Sequence, residues 1–522
     1  MMTQTNDRVI DRLRAMGQDR GALAAMEGHL VRELHDLAPA GAELTPITLK
    51  QEEGRRVYER TLRFVMLLAV RRLWGDVRVR VEYSAGHGVF IRLPGIVMDD
   101  ARLASLEREM RAICAADVAL TREVWPLQRC REWFASLGRQ DKLDLLADRT
   151  VPTMAMYGAR WQGVELWDYF NGAMASTCGT VSVFSLDRQD DGFILYRAEA
   201  SDPDRPAPAA DRPRLLEVFR QSADWCRILG VENVPDLTRM IRQKRLRGFI
   251  RVNEALQDQA IGDIARQIDA HGRRIVMVAG PSSSGKTTFA GRLCVHLRVL
   301  GHRATRLSLD DYYLDRDKIP RQPDGSLDLE AIDTLDLPLL REHMRALLRG
   351  EEVQVPRFDF RVGKRAPEGT PLRLDEGDMI VIEGIHGLNP MLREGMPEDA
   401  VWCVFVSALT CLNLDDHERI RTTDARLLRR IVRDYLFRGT EPEATLAMWE
   451  SVRRGEERWI FPYQELADSM FNTSLHYELP ILAHYALPLL RDLDPACEGA
   501  LNAARLRKAL NYMPPIDEDL LT

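Results

Sequence analysis

Gly280-Pro281-Ser282-Ser283-Ser284-Gly285-Lys286-Thr287 decides how the second half of this 522-residue chain folds. The stretch fits G-x-x-x-x-G-K-[ST], and its flanks fit as well. An unbroken apolar run, Ile275-Val276-Met277-Val278-Ala279, leads in and reads as a buried parallel strand. Phe289, Leu293, Leu297 and Leu300 then recur at helical spacing. Strand, glycine loop and helix in this order make a phosphate cradle. The backbone N–H groups from Gly280 through Ser282, Ser283, Ser284 and Gly285, with Thr288 beside them, face the phosphates. Lys286 reaches their outer oxygens, and the Thr287 hydroxyl is a Mg²⁺ ligand. The motif implies a bound nucleoside triphosphate.

The carboxylates downstream add chemistry to the cradle. Ala304-Thr305-Arg306-Leu307-Ser308-Leu309 reads as the next strand and ends in Asp310-Asp311-Tyr312-Tyr313. In a doubly wound sheet the strand C-termini converge on the ligand crevice. A carboxylate at Asp310 is therefore placed to take the proton of a hydroxyl attacking a γ-phosphoryl group. Met379-Ile380-Val381-Ile382 ends in Glu383-Gly384, an acid-tipped strand suited to Mg²⁺ or its water shell. A further strand follows at Val401-Trp402-Cys403-Val404-Phe405-Val406. The stretch from Arg426 to Tyr435 then reads as an Arg-rich helix ending near Arg438-Gly439. A solvated face is the ordinary reading of such a helix; beside a triphosphate it suits a mobile lid.

Length allows several domains, and the net charge of −7 gives no global basicity to draw nucleic acid. The eight cysteines are scattered singly without a C-x-x-C pair, which supports neither a zinc ribbon nor a disulfide framework. The N-terminal residues carry no apolar signal core, and no run of 18 apolar residues occurs. A soluble cytoplasmic protein with reduced thiols is expected.

Before the cradle, residues 1 to about 35 read as helical, with Val9, Ile10, Leu13 and Met16 on one face and Leu23, Met26 and Leu30 continuing it. Residues 43–49 are a strand candidate, and Arg56 to Leu73 a helix with an apolar stripe. Val77–Tyr83 and Val89–Leu93 flank a turn at Gly86-His87-Gly88 and predict a hairpin. A helix over 99–115 and a strand near 192–196 follow. Ser201 to Pro213 is proline-rich and the best linker in the chain, with helices bridging 214–270.

Gly54-Arg55-Arg56-Val57-Tyr58-Glu59-Arg60-Thr61-Leu62, the 77–93 hairpin and Ala175-Ser176-Thr177-Cys178-Gly179 resemble the N-terminal editing region of threonyl-tRNA synthetases over residues 30 to 200. The resemblance includes part of a TGS module at 32–49. Editing in that family relies on clustered His and Cys, but here Phe64, Leu68, Tyr169 and Ala173 take those positions; Cys178 and His87 remain. A fold kept without the hydrolysis is expected.

The phosphate loop, Leu309-Asp310-Asp311-Tyr312-Tyr313, Ile382-Glu383-Gly384-Ile385 and Arg429-Arg430-Ile431-Val432-Arg433-Asp434 together resemble the uridine kinase/phosphoribulokinase family, over residues 270 to 475. That resemblance implies Asp310 as general base, Lys286 and Thr287 at triphosphate and Mg²⁺, Glu383 at the metal side, and Arg430, Arg433 and Arg438 as lid cations. It also implies Asp328 at ribose hydroxyls, and Tyr313, Phe358, Arg365 and Arg430 at the acceptor. Three positions depart from the pattern: Phe358 stands where Tyr is usual, Gly363 where His is usual, and Thr440 where Arg is usual. The segment Thr410 to Arg419 looks inserted, either to read a different acceptor or as a surface loop.

The expected fold is α/β: a P-loop kinase domain with a parallel doubly wound sheet, preceded by an α+β synthetase-like region. The expected divisions are a partial TGS-like segment (1–50), an editing-like domain (51–200), a linker with bridging helices (201–270), the kinase-like domain (271–495) and a tail (496–522). Together the halves resemble a bacterial group that fuses these two parts. The implied function is ATP- and Mg²⁺-dependent phosphorylation of a small-molecule hydroxyl, such as that of a nucleoside, with no membrane partner. The alternative is a regulatory or RNA-associated NTPase that uses the first half for tRNA or an amino acid; homo-oligomerisation stays open.

Overall fold

The computed structural model describes residues 7–149, 151–209, 211–321, 327–359, 362–394, 396–410 and 412–516. Its first helix, α1 (Val9–Ala15), is short. The residues that matched helical spacing after it instead form β1 (Ala24–Glu27) and β2 (Leu30–Arg32), an antiparallel pair joined by β3 (Thr45–Ile47) on the other side of β1. The helical reading of 17–35 is thereby corrected. Glu27 pairs with Leu30 across a tight turn in which Gly28 takes a left-handed φ of 56°, a conformation no helix interior accommodates.

Helix α2 (Glu52–Trp74) is buried nearly all round, including Phe64 and Leu68. The hairpin β4 (Arg80–Ala85) and β5 (Gly88–Arg92) forms as the alternation predicts, followed by α3 (Asp100–Ala115), which the Asp99 side chain caps at the Arg102 N–H. Next come β6 (Thr121–Pro126), α4 (Leu127–Ser136), α5 (Gln140–Leu146), β7 (Thr153–Trp161), β8 (Val164–Asp168), β9 (Phe184–Gln189) and β10 (Gly192–Arg197). They make two antiparallel sheets, β4-β5-β10-β9 and β6-β7-β8. The proline-rich stretch folds back on this half, with the Ala207 N–H donating to the Arg197 carbonyl at 2.8 Å; residue 210 lies outside the described residues.

Helices α6 (Pro213–Leu229), α7 (Val234–Arg242) and α8 (Leu246–Ala270) lead to the second half. There the chain runs through β11 (Ile275–Ala279), α9 (Lys286–Val299), β12 (Ala304–Ser308), α10 (Leu337–Leu348), the small pairs β13 (Val353–Val355) with β16 (Thr370–Leu372) and β14 (Phe358–Asp359) with β15 (Lys364–Arg365), then β17 (Met379–Glu383), α11 (Pro390–Arg393) and β18 (Val401–Ser407). Helices α12 (Thr422–Arg433) and α13 (Pro442–Trp459), strand β19 (Ser469–Asn472), and helices α14 (Glu478–Arg491) and α15 (Ala500–Leu510) complete it. The stretch expected as a tail thus contains a helix, whose Ala503, Leu506 and Leu510 are buried.

The five-stranded sheet is wholly parallel in the order β12-β17-β11-β18-β19. Chain direction reverses its lateral course at β11, so the phosphate loop opens where β17 and β18 diverge, at the C-terminal edge. Register sets Glu383 beside Val278 and Ser308. Among the described residues no helix is long and apolar enough to cross a membrane.

One core runs through both halves: Trp125, Phe134 and Tyr169 belong to the same buried cluster as Trp225, Ile264, Val276 and Leu414. The inserted segment joins them, which corrects its reading as a surface loop. Cys411 lies outside the described residues, but 412–418 are buried against the N-terminal half. The Val81 N–H donates to the Asp416 carbonyl at 2.8 Å, and Asn413 Nδ2 donates to the Val81 carbonyl at 2.7 Å, as an added strand would. Lys142, fully buried, lies 2.8 Å from Asp168 and 3.2 Å from Asp415. Tyr169 donates its hydroxyl proton to the same Asp415 carboxylate. Polar residues in a loop look solvated from sequence alone; these are buried because each meets a partner more than two hundred residues away.

Removing one member of such a buried set leaves the others uncompensated. Lys142→Met is expected to lower the unfolding free energy by about 3 kcal/mol, read by urea denaturation, whereas changing the exposed Arg160 in the same way should leave the midpoint where it is.

Candidate active site

The loop after β11 is shaped by close approach. A Cβ at Gly280 would stand 1.9 Å from the Val406 carbonyl oxygen, so only glycine fits beneath β18. Thr473 on the far side donates to the Ser284 carbonyl at 2.5 Å and itself accepts from Arg429, which is paired with Glu478. The loop is therefore buttressed from the end of β19 and from α12.

A cavity of about 1010 Å³ opens above it. Of the loop residues expected to face phosphate, Ser282, Ser283, Lys286 and Thr287 line this cavity, while Gly280, Ser284, Gly285 and Thr288 lie behind or beside the lining. Lys286 Nζ donates to the Pro281 carbonyl at 3.1 Å, and burial lowers its pKa. Thr287 Oγ1 donates to Glu383 Oε1 at 3.0 Å, and the Ser308 hydroxyl reaches the same oxygen at 3.4 Å. Two hydroxyls around one carboxylate form a hard oxygen set that fits Mg²⁺.

Asp310, in the turn following β12, lines the cavity opposite Lys286. Burial, and next the nearby charge of Glu383, push its carboxyl up to about 6, with Lys286 pulling the other way. Asp311 instead accepts from the Phe358 N–H at 3.3 Å and anchors the hairpin β14–β15. Tyr313 and Phe358 both line the cavity, their rings 5.7 Å apart.

The three arginines expected as lid cations gather on one carboxylate. Arg430 lies 3.3 Å, Arg433 2.7 Å and Arg438 3.8 Å from Asp434, and all three line the cavity. Arg430 also donates to the Ser282 hydroxyl at 2.7 Å, joining α12 to the phosphate loop.

Two expected acceptor residues are placed elsewhere. Asp328 is not part of the cavity lining; it accepts from the Glu330 N–H at 3.2 Å, and Trp459 Nε1 stands 3.5 Å from it. Arg365 donates to the Tyr312 and Tyr313 carbonyls at 2.8 and 2.9 Å and pairs with Asp336 at 3.0 Å, so it braces the Asp310 turn from behind. The sequence reading missed Glu330, which does line the cavity. Burial pushes its carboxyl up to about 7, with Arg430 opposing the shift and Glu456 adding to it. Its position two residues from Asp328 was the available signal. Arg316 and Arg357 were missed as well. Gly363 explains the first of these. Its φ of 69° is left-handed, and a Cβ there would meet Arg316 Cδ at 2.4 Å.

The family model for the "Phosphoribulokinase / Uridine kinase family" matches residues 275–407. The uridine kinase of Deinococcus deserti is 32% identical over 196 residues, covering 37% of this chain and 84% of that one. This chain belongs to the phosphoribulokinase/uridine kinase family. The uridine kinase of Halobacterium salinarum is 30% identical over 193 residues, with 37% and 76% covered. A solved structure described as a possible uridine kinase from Bacillus stearothermophilus aligns at 20% identity and a TM-score of 0.29, over 41% of this chain and 97% of that one. Family membership makes the chain a phosphotransferase with an alcohol group as acceptor and ATP as phosphate donor.

The raised carboxyl of Glu330 has a stability consequence. Unfolded, it ionises near its ordinary value of 4.5; folded, near 7. Between those values the folded state keeps a proton that the unfolded chain releases, so stability falls as pH rises and the loss is complete above about 7. Glu330→Gln is expected to raise the unfolding free energy by about 1–2 kcal/mol at pH 8 and to change it little at pH 4, as measured by urea melts at both pH values.

Proposed function

We propose that the chain is an ATP- and Mg²⁺-dependent small-molecule kinase of uridine-kinase type. It transfers the γ-phosphoryl group to a hydroxyl of a nucleoside or another polyhydroxylated metabolite. The observation that carries this reading is Asp310: a carboxylate facing the same cavity as Lys286, with an affinity for protons poised near 6.

In this reading the acceptor hydroxyl gives its proton to the Asp310 carboxylate as its oxygen bonds to the γ-phosphorus. The bond from that phosphorus to the β,γ-bridging oxygen breaks, and ADP leaves with the electron pair. Lys286 and the loop N–H groups hold the triphosphate. Arg430, Arg433 and Arg438 turn from Asp434 toward the charge on the transferred group. Thr287 and Glu383 would hold Mg²⁺, which when bound neutralises phosphate charge. Glu330, next to Arg430, is placed for the acceptor's hydroxyls in the role the sequence suggested for Asp328.

The first half is read as a synthetase-like region without editing chemistry, its division from the kinase near residue 270. Support comes from the positions where clustered His and Cys are needed. Phe64 and Leu68 are buried apolar residues, and Tyr169 is committed to Asp415. Burial pushes the Cys178 thiol up to about 12.

Asp310→Asn is expected to lower kcat by about a thousandfold while the affinity for a non-hydrolysable ATP analogue stays within twofold. In the unaltered protein kcat/KM should rise with pH through about 6, as Asp310 ionises. The acceptor is found with a panel of nucleosides, sugars and hydroxy amino acids in an ADP-release assay run beside Lys286→Ala. If no acceptor raised ADP release above the acceptor-free rate of the unaltered protein, the regulatory-NTPase reading would replace this one.

A further inference from the structure

A second, small cavity of about 60 Å³ lies where the two halves meet. Six guanidinium groups line it: Arg56, Arg60 and Arg63 from α2, Arg419 and Arg421 from the segment before α12, and Arg505 from α15. Only three lining carboxylates oppose them, Glu59, Glu418 and Asp424. Two further acids, Glu52 and Glu53, pair with Arg56 and Arg60 from outside the lining. The balance remains positive, and Arg419 has no carboxylate within ion-pair distance among the described residues; its side chain donates to the Ser84 hydroxyl.

The donors are also in excess. Arg63 Nε, Arg419 Nε and Arg505 Nε, with Asn171 Nδ2, are buried and have no hydrogen-bond partner among the described residues. Arg63 is only 4% exposed. Leaving a buried donor unpaired costs free energy, and gathering guanidinium groups in a largely buried place costs more. Burial and the neighbouring cations also hold Arg421 down to about 9. An arrangement of this kind is stabilised by a compact anion with acceptors on several sides, and planar guanidinium forks match the oxygens of a phosphoryl group.

We propose that this cavity is a binding site for a phosphoryl dianion, distinct from the phosphate loop. Its volume suits inorganic phosphate, or the phosphate end of a monoester whose remainder projects from the cavity. The site is tied to the kinase cavity through one helix. Asp424, in the first turn of α12, accepts from Arg56 at 3.0 Å and Arg505 at 2.9 Å. The other end of the same helix carries Arg430 and Arg433. An anion that draws Arg56 and Arg505 toward itself loosens their hold on Asp424 and so acts on the helix that presents the lid cations.

Titration calorimetry on the full chain tests the site, using Lys286→Ala so that the phosphate loop contributes little. Inorganic phosphate is expected to bind at one site per chain, with chloride at equal ionic strength giving no saturable heat. Adding Arg419→Gln to that background should weaken phosphate about tenfold or more, as loss of one charge-assisted donor would. Glycerol 2-phosphate in place of phosphate separates the two sources: equal or tighter binding assigns a monoester, and absence of binding assigns the free ion. Hydrogen exchange on the unaltered protein gives a second reading that survives any folding defect in the variants. Slower exchange with phosphate over 56–63 and 419–428 supports the site. Protection confined to 280–287, no saturable binding in the millimolar range to Lys286→Ala, or unchanged affinity in the well-folded double variant would overturn it.

Discussion

The buried ammonium of Lys142 holds the two halves of this protein in one arrangement. It lies between Asp168 of the N-terminal half and Asp415 of the kinase half. Neither carboxylate would be tolerable at its depth without it. His417 adds a 2.5 Å contact to Asp168, and Arg63 pairs with Glu418 while donating to the His417 carbonyl. Such a set offers little net stability over an apolar filling, but it fits only one register. Shifting the segment by one residue would strand several buried charges together. The consequence reaches the active site because this segment runs directly into α12. Where Asp415 is held, the helix carrying the lid arginines has a fixed start.

At the catalytic end the same physics works with looser constraints. Asp310, Glu330 and Glu383 share one cavity, and the first two are pushed up by burial and mutual repulsion. The cations that could relieve them are engaged elsewhere: three lid arginines converge on Asp434, and Lys286 turns to the Pro281 carbonyl. Each of these contacts is replaceable by a phosphate oxygen with a full charge. In the proposed function a triphosphate would enter by exchanging these partners rather than by meeting bare cations. That lowers the cost of the empty state and keeps the arginines aligned for arrival. The carboxylate poised near 6 gains from the same exchange, since a lid cation drawn into the cavity favours its ionised form.

What could be read from the sequence follows how local each determinant is. The strand, loop and helix around Gly280–Thr287, the acids at Asp310 and Glu383 and the arginines of α12 were legible because motif and periodicity lie within a few residues of each other. The hairpin at β4–β5 was legible for the same reason. Residues 17–35 were misread because small and apolar residues there satisfied a helical period by chance, while the turn at Gly28 and pairing with β3 decided otherwise. Asp328 and Glu330 are acids two residues apart in one loop; their spacing marks both as candidates, and nothing local says which one turns inward. Arg365 looked like a ligand-binding cation, yet the carbonyls it braces belong to a turn more than fifty residues earlier. The inserted segment was the least legible, because the side chains that pair with its buried charges, such as Lys142 and Arg63, come from the other half.

The acceptor end shows how a few substitutions act together. At Gly363 the left-handed backbone disfavours any side chain, and the space beside it holds Arg316, whose N–H donates to the Gly363 carbonyl at 3.0 Å. Restoring a larger residue there would require both a strained backbone and a displaced arginine. Phe358 has no hydroxyl to offer, and its ring is packed on Tyr313. The hairpin thus offers neither the imidazole nor the phenol that the family resemblance implies at these two positions, and Arg316 and Arg357 stand on the cavity wall. Two guanidinium groups recognise oxygen acceptors, anionic ones best, and they do so without a ring-shaped slot. In the proposed reaction such a wall would favour an acceptor's oxygens over the edge of a nucleobase. The transfer proposed at Asp310 is indifferent to that choice, since it needs only a hydroxyl in reach.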